Sequence, residues 1–470
     1  MRTPFRVFAL ALLAAAAFAA PKDKVLPKDL PAYGAIKPVA APKVTELRLE
    51  NGMTVWLAPT PGFPKISFAF VIRGGYSGDP KDRPGLADLL ASTATQGTSK
   101  QSAKQIAEAI AAAGGDLSGD ATPDAVYITT AVLAEHAGAA LGLLSEIATT
   151  ATFADQEVEI AKSNAASALE ANEAEPGFLA RRALYRAMFG DHPYGIIAPT
   201  QDSIKQTTGA ELRAEYAKRF RPDRALLVAT GDFEIAALEK TIRADFGSWR
   251  AATAAPPAEP AAPAYSTSRT VVYVPRPNSV QTALYLGTVA ANEAQPDYAA
   301  AEVANAMYGG MFGSRLIDNI REDKGYTYSP GSRLVSRSQA GILATRADVR
   351  NPVTGASFNE ITYELNRVAT TTPEDSEIDH ARRYLLGSIA LRLQARSSVA
   401  RSLANLWVSS LPPAELGALT EKISKVTAAD VQAAGRKYFP ASRMTVVAVG
   451  DEKVIKEELA PFGVEFTKAK

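Results

Sequence analysis

The chain repeats itself once, and this repeat limits its possible folds more than any other feature. Residues 220–232 read FRPDRALLVATGD and residues 439–451 read FPASRMTVVAVGD. Without gaps, Phe220 aligns with Phe439, Arg224 with Arg443, Val228 with Val447, Ala229 with Ala448, and Gly231-Asp232 with Gly450-Asp451. Upstream, TVWLAP (54–59) followed by ISFAFVIRGG (66–75) is matched by TVVYVP (270–275) followed by QTALYLGTVA (281–290). The offset is 216 residues upstream and 219 downstream. A single recurring strand-turn-glycine pattern is compatible with chance. Two at nearly one offset mark an internal duplication. Between the copies lies AATAAPPAEPAAPAYSTS (251–268), an Ala/Pro-rich, semi-rigid linker. The mature chain therefore divides into 44–250 and 269–470, and either half is long enough to bury its own core.

Each half mixes strands and helices. Ile66, Phe68, Phe70 and Ile72 alternate with smaller or polar residues, as do Val126, Ile128, Thr130 and Val132. That is the period of a half-buried strand. Helical patterns fill 84–96, 102–113, 134–149, 155–172, 178–189, 209–219 and 234–246. In the second half they fill 297–308, 313–322, 355–369, 374–395, 398–409, 413–424, 427–438 and 453–460. Strands pair as hairpins and long helical runs follow. The expected class is α+β: two homologous halves, each an antiparallel-rich sheet with helices packed on one face.

Composition narrows the chemistry. Cysteine is absent, which excludes disulfides, thiolate metal sites and cysteine catalysis. The three histidines are His136, His192 and His380. With 51 Lys+Arg against 50 Asp+Glu the chain carries no electrostatic footprint for nucleic acid or anionic membranes. At the N-terminus, Arg2 and Arg6 precede an apolar run from Val7 that closes on Ala17-Phe18-Ala19-Ala20. Residues 1–20 read as a secretory signal peptide, with cleavage expected near Ala19. The alternative, a membrane anchor, asks a short run to span a bilayer. Residues 21–43, rich in Pro, Lys and Ala, read as an extended tether. Nothing later approaches a membrane span. Periplasm or secretion is the expected location.

Several segments together resemble the pitrilysin/insulinase family of inverted-zincin peptidases, in its processing-peptidase-like branch. They are LENGMTVWL (49–57), IRGGYSGDP (72–80), RPGLADLLASTATQGTSKQS (83–102), AAAGGDLSGDATPDAVYITT (111–130), FGDHPYG (189–195) and FGSRLIDNIREDKGYTYSP (312–330). Active members carry H-x-x-E-H on the helix after a glycine-rich turn. Two histidines one helical turn apart bind Zn²⁺, and the Glu activates the metal-bound water. Here the resemblance places Asp88 at the first His, Ala91 at the Glu and Ser92 at the second His. The third ligand position falls on Ala168, and Glu170 points to another helix face. All four positions are degenerate, so the expectation is no metal, no cofactor and no catalytic residue in this chain. Ser118 stands where active members often have a substrate-binding Asn. Glu377 and His380, three apart, read as a surface helix rather than a metal site. His136 reads as a surface or capping residue and His192 as a structural turn residue.

The resemblance also implies what is kept. Arg321 and Tyr328 match a pair that, in family members, faces the catalytic half across a chamber and holds substrate. A guanidinium offers a planar fork of donors, and a phenol can donate to an oxyanion. The helix carrying Arg321 is expected to end near Gly325, with Tyr328 on the following strand. The alternative is that Arg321 pairs with Asp318 or Glu322 and Tyr328 merely packs. The glycine-rich stretch 309–313 reads either as a substrate-touching loop or as a plain turn between helices. The implied function is the non-catalytic, substrate-binding subunit of a heterodimeric zinc metallopeptidase. Its partner is then a homologous H-x-x-E-H subunit holding the zinc, and its substrate an unstructured peptide. The alternative is a catalytically dead scaffold or peptide-binding protein of the envelope, like the core subunits of respiratory complexes.

Overall fold

The computed structural model describes residues 34–36, 39–463 and 466–469. The expected signal peptide (1–20) and most of the expected tether (21–43) lie outside the described residues. The repeated segments form strands at matching places in two six-stranded sheets. The first sheet contains β1 (Thr45–Arg48), β2 (Thr54–Pro59), β3 (Lys65–Arg73), β4 (Asp116–Ala121), β5 (Ala125–Leu133) and β6 (Ala225–Gly231). The second contains β7 (Thr270–Pro275), β8 (Gln281–Ala290), β9 (Gly331–Ser336), β10 (Gly341–Arg350), β11 (Thr445–Gly450) and β12 (Thr467–Lys468). The orders are β1-β2-β6-β3-β5-β4 and β12-β7-β11-β8-β10-β9. Replacing β2–β6 by β7–β11 reproduces five of the six places in order, as a duplication requires; only the edge strand differs, β1 antiparallel in one sheet and β12 parallel in the other. Most neighbours are antiparallel; β2 with β6, β7 with β11 and β12 with β7 run parallel. The glycine closing the first copy is sterically required. Gly231 has φ +136, and a Cβ there would lie 2.3 Å from the Lys65 carbonyl oxygen.

The helices follow the apolar spacing. Leu86–Ala94, Ala137–Thr150 and Ile235–Phe246 present Leu90, Leu144, Ile242 and Phe246 to one face of the first sheet, which contributes Phe68, Phe70 and Leu227. The central strands are apolar on both faces, and β6 is buried along its whole length. Such strands need two covered faces. The second face, with Trp56, Val71, Tyr127 and Val228, is covered by Val399, Leu403 and Leu406 of helix Arg396–Val408, from the second half. The exchange is mutual. Helix Pro176–Phe189 of the first half places Leu184 and Tyr185 on the second sheet, against Val289, Ile342 and Val447. The one-face layering describes each half's own helices; one exchanged helix per half is added to it.

Polar ties follow the same exchange. Arg401 on the crossing helix meets Asp120 with two parallel bonds of 2.8 Å and stacks on Tyr127, 3.5 Å from its ring centre. At the tip between β4 and β5, Asp124 accepts from Tyr194 Oη at 2.6 Å, from the Ser338 amide at 2.9 Å and from Ser338 Oγ at 2.8 Å. Both sheets belong to one compact unit, residues 38–470. Among the described residues no helix is long and apolar enough to cross a membrane.

Candidate functional site

Helix Leu86–Ala94, which carries the degenerate motif, is fixed at its start. Gly85, at φ +90, turns the chain into it. Asp79 accepts from the amides of Gly85 at 3.0 Å and Ala87 at 3.2 Å. Arg219, wholly buried, donates to Asp79 at 2.8 Å and to the carbonyls of Gly74 and Gly75 at 2.7 and 2.8 Å. A carboxylate at a helix N-terminus satisfies orphan amides and meets the positive end of the dipole. Burial still pushes the Asp79 carboxyl up to about 6, with Arg219 opposing. The Asp79–Arg219 pair is absent from the sequence reading. Only the Gly-Asp-Pro turn at 78–80 hints at it, and Arg219 is far away in sequence.

Asp88 lies on this helix's first turn. Burial raises its carboxyl to about 7, and the charges of Asp79 and Asp120 add to the rise, while a bond from the Ala121 amide opposes it. Ser92 Oγ donates to the Leu89 carbonyl at 3.2 Å. Ala91 is fully buried, and its carbonyl oxygen would lie 2.0 Å from a Cβ at Gly119 on β4. Helix and strand therefore touch through backbone where active members place a long acid. Ala168 and Glu170 are exposed on helix Asp155–Ala174. Ser118 pairs with the Thr129 hydroxyl at 2.9 Å. Among the described residues no group of three His, Cys, Asp or Glu side chains could hold a metal ion. One raised carboxyl, one hydroxyl turned to its own helix and two methyl groups do not fit zinc.

The histidines have structural surroundings. His192 accepts from the Tyr194 amide through Nδ1 at 3.1 Å and contacts the Ala261 carbonyl through Nε2 at 2.7 Å, tying the linker down. His136 ends a short turn beside Glu135. Glu377 is bound to Arg315, with one of the two bonds at 2.7 Å.

Arg321 and Tyr328 do come together. Arg321 sits on a wide, π-helical turn, Asp318–Asp323. Such turns often mark functional segments. Its guanidinium lies 4.7 Å from the Tyr328 ring centre and 5.0 Å from that of Phe312, and pairs with Glu322 at 3.1 Å. The ion pair of the alternative reading is thus present, with Glu322 as partner. Tyr328 is not packed away: it is 79% exposed, and Phe312 is 71% exposed. Tyr328 also does not lie on a strand. β9 begins only at Gly331, because Pro330 lacks an amide and restricts Ser329 before it. Arg321, Tyr328, Gln281, Asp348 and Arg350 line an open groove of about 610 Å³. A cation between two exposed aromatic faces can contact a ligand as well as its neighbour Glu322. The glycine-rich stretch is packed at Gly309 and exposed at Phe312 and Gly313. Ala306–Gly310 forms a second π-helical turn, and a Cβ at Gly309 would lie 3.0 Å from the Ser332 side chain.

Two family descriptions match the chain: Insulinase (Peptidase family M16) over residues 54–199, and Peptidase M16 inactive domain over 207–385. A Helicobacter pylori protein named Non-peptidase homolog YmxG is 26% identical over 83% of this chain and 89% of its own length. A solved structure described as the peptidase M16 inactive domain from Pseudomonas fluorescens superposes with a TM-score of 0.80 at 24% identity, covering 87% of this chain and 98% of that one. The periplasmic protease PqqL from Escherichia coli matches with a TM-score of 0.75 at 16% identity, over 90% of this chain but 49% of its own.

Proposed function

This chain belongs to the M16 insulinase family of peptidases, and from that premise we propose that it is a catalytically inactive member acting as the substrate-binding subunit of a two-chain zinc peptidase in the periplasm. The partner is a homologous chain with H-x-x-E-H and its zinc; the substrate is an unstructured peptide. The observation that carries the reading is the contrast between two sites. The zinc positions carry Asp88, Ala91, Ser92 and Ala168, a set that does not fit zinc, while Arg321 remains presented between Phe312 and Tyr328 on an open groove. The partner's edge strand would take the peptide by β-augmentation, with Arg321 and Tyr328 holding it near the metal.

The test is reconstitution. The chain alone should cleave no unstructured peptide and hold no stoichiometric zinc by elemental analysis. Mixed with an H-x-x-E-H homologue from the same cell, activity should appear. Arg321→Ala or Tyr328→Phe should then lower turnover by about 2.7–4 kcal/mol in barrier if the phenol meets the oxyanion. Unchanged kinetics in both variants would remove the shared-site mechanism. Stable association without any gain in cleavage would favour the scaffold role.

A further inference from the structure

Beside the groove lies a second pocket, of about 420 Å³, within the ordinary range for small-ligand sites of about 300–1,000 Å³. Its floor includes Leu184, Tyr285 and Met311, and its rim carries Arg181, Arg333 and Arg346; the lining contains no acidic residue. The three arginines come from three elements. Arg181 is on the exchanged helix Pro176–Phe189, Arg333 on β9 and Arg346 on β10. Register places them over one face: Arg333 stands opposite Ala344, two residues from Arg346, and Arg346 stands opposite Tyr285. Burial raises the Tyr285 pKa and Asp348 adds to the rise, while Arg346 and Arg181 oppose it. Two of the guanidiniums thus act on the phenol at the pocket floor. The pocket's own lining carries no carboxylate; Asp348, which lines the neighbouring groove, acts on Arg346, so the positive charge of the rim is only partly balanced.

Pocket and groove adjoin along one stretch of chain. Tyr328 and Ser329 line the groove, and Pro330 and Gly331, next in sequence, line the pocket. Phe312 borders the pocket while its ring stacks on Arg321. A peptide lying along Arg321 can therefore end in the pocket. A planar guanidinium matches a carboxylate with paired bonds, and the apolar floor suits an aliphatic or aromatic side chain. We propose that this pocket receives the C-terminal residue of the bound peptide, its free carboxylate on the Arg181–Arg333–Arg346 rim and its apolar side chain on the floor. The inference rests on the peptide-binding reading above and adds a preference for free, apolar C-termini.

The experiment measures binding of a short, unstructured, fluorescent peptide ending in leucine, by anisotropy at low salt. The peptide is used with a free carboxylate and as the C-terminal amide. The purified chain should bind the acid about tenfold tighter than the amide, the scale of one or two charge-assisted bonds. Arg333→Gln combined with Arg346→Gln should erase the difference, bringing the acid down to the affinity of the amide. Both positions are on the exposed rim, so folding is not at stake. Equal binding of acid and amide, or a preference that survives the double variant, overturns the pocket and leaves the peptide reading standing. Arg321→Ala should weaken both forms alike; if it changes neither while the preference persists, the groove reading falls and the pocket stands. No binding of either form overturns both. Decanoate binding tightly where neither peptide binds would replace the peptide end with a free apolar acid.

Discussion

Asp88 carries into the folded state a carboxyl that burial, with Asp79 and Asp120 nearby, raises from 3.8 to about 7. Between those values the folded chain holds the proton more tightly than the unfolded one. This group's contribution is therefore fully present below pH about 4 and is lost as pH climbs through about 7. Asp88→Asn mimics the protonated form at every pH and keeps an acceptor for the Ala121 amide. Urea denaturation should show the variant more stable by up to about 4 kcal/mol at pH 8, the gain shrinking steadily toward pH 4. A gain independent of pH would mean that Asp88 is not held as described. The resemblance to H-x-x-E-H set Asp88, Ala91 and Ser92 on one helix, and all three lie on Leu86–Ala94. Asp79 and Arg219, which fix the same helix, could not be read that way. Their partnership is made by a fold that brings together positions on either side of two strands and several helices.

Elements were legible where local pattern decides them. The apolar periods located nearly every helix, and the repeat paired β2 with β7 and β6 with β11. Two kinds of feature escaped. The π-helical turns at Ala306–Gly310 and Asp318–Asp323 have no periodic signature and depend on tertiary packing. The exchange of Pro176–Phe189 and Arg396–Val408 between sheets is invisible to periodicity, which says that a helix has an apolar face but not whose sheet it meets. The exchange can be probed at Gly287 on β8, where a Cβ would lie 3.0 Å from Leu184 Cδ2 and 3.1 Å from Met188 Sδ on the crossing helix. Gly287→Val should cost about 1–3 kcal/mol by overpacking. Gly142→Ala, on a helix with nothing within 4 Å of the added carbon, should be neutral or stabilising by up to about 1 kcal/mol. Denaturation midpoints of the two variants separate the contact from a general intolerance of side chains at glycine.

At the scale of the molecule, the duplication and the exchange pull in opposite directions. The duplication makes each half a repeat of the other, long enough by size to stand alone, as the sequence reading assumed. The exchange makes each half incomplete. Residues 44–250 without the second half would bare the sheet face of Trp56, Val71, Tyr127, Leu226 and Val228, now under Val399, Leu403 and Leu406. They would also leave helix Pro176–Phe189 with Leu184 and Tyr185 and no sheet to meet. Asp120 would lose Arg401, and Asp124 would lose Ser338. A contiguous apolar sheet face of that kind is an aggregation site in an isolated domain. Residues 44–250 expressed alone should therefore be insoluble or bind hydrophobic dyes without a cooperative unfolding transition. Co-expression with residues 251–470 as a separate chain should restore a soluble pair with one transition, since the contacts need the second half but not the linker's covalent continuity. The same pair carrying Leu403→Ala, a fully buried side chain at the centre of the exchanged helix, should lose about 2–5 kcal/mol. Residues 44–250 folding cooperatively by themselves would show that the first sheet can close its second face without the exchanged helix, and that the halves are independent domains after all.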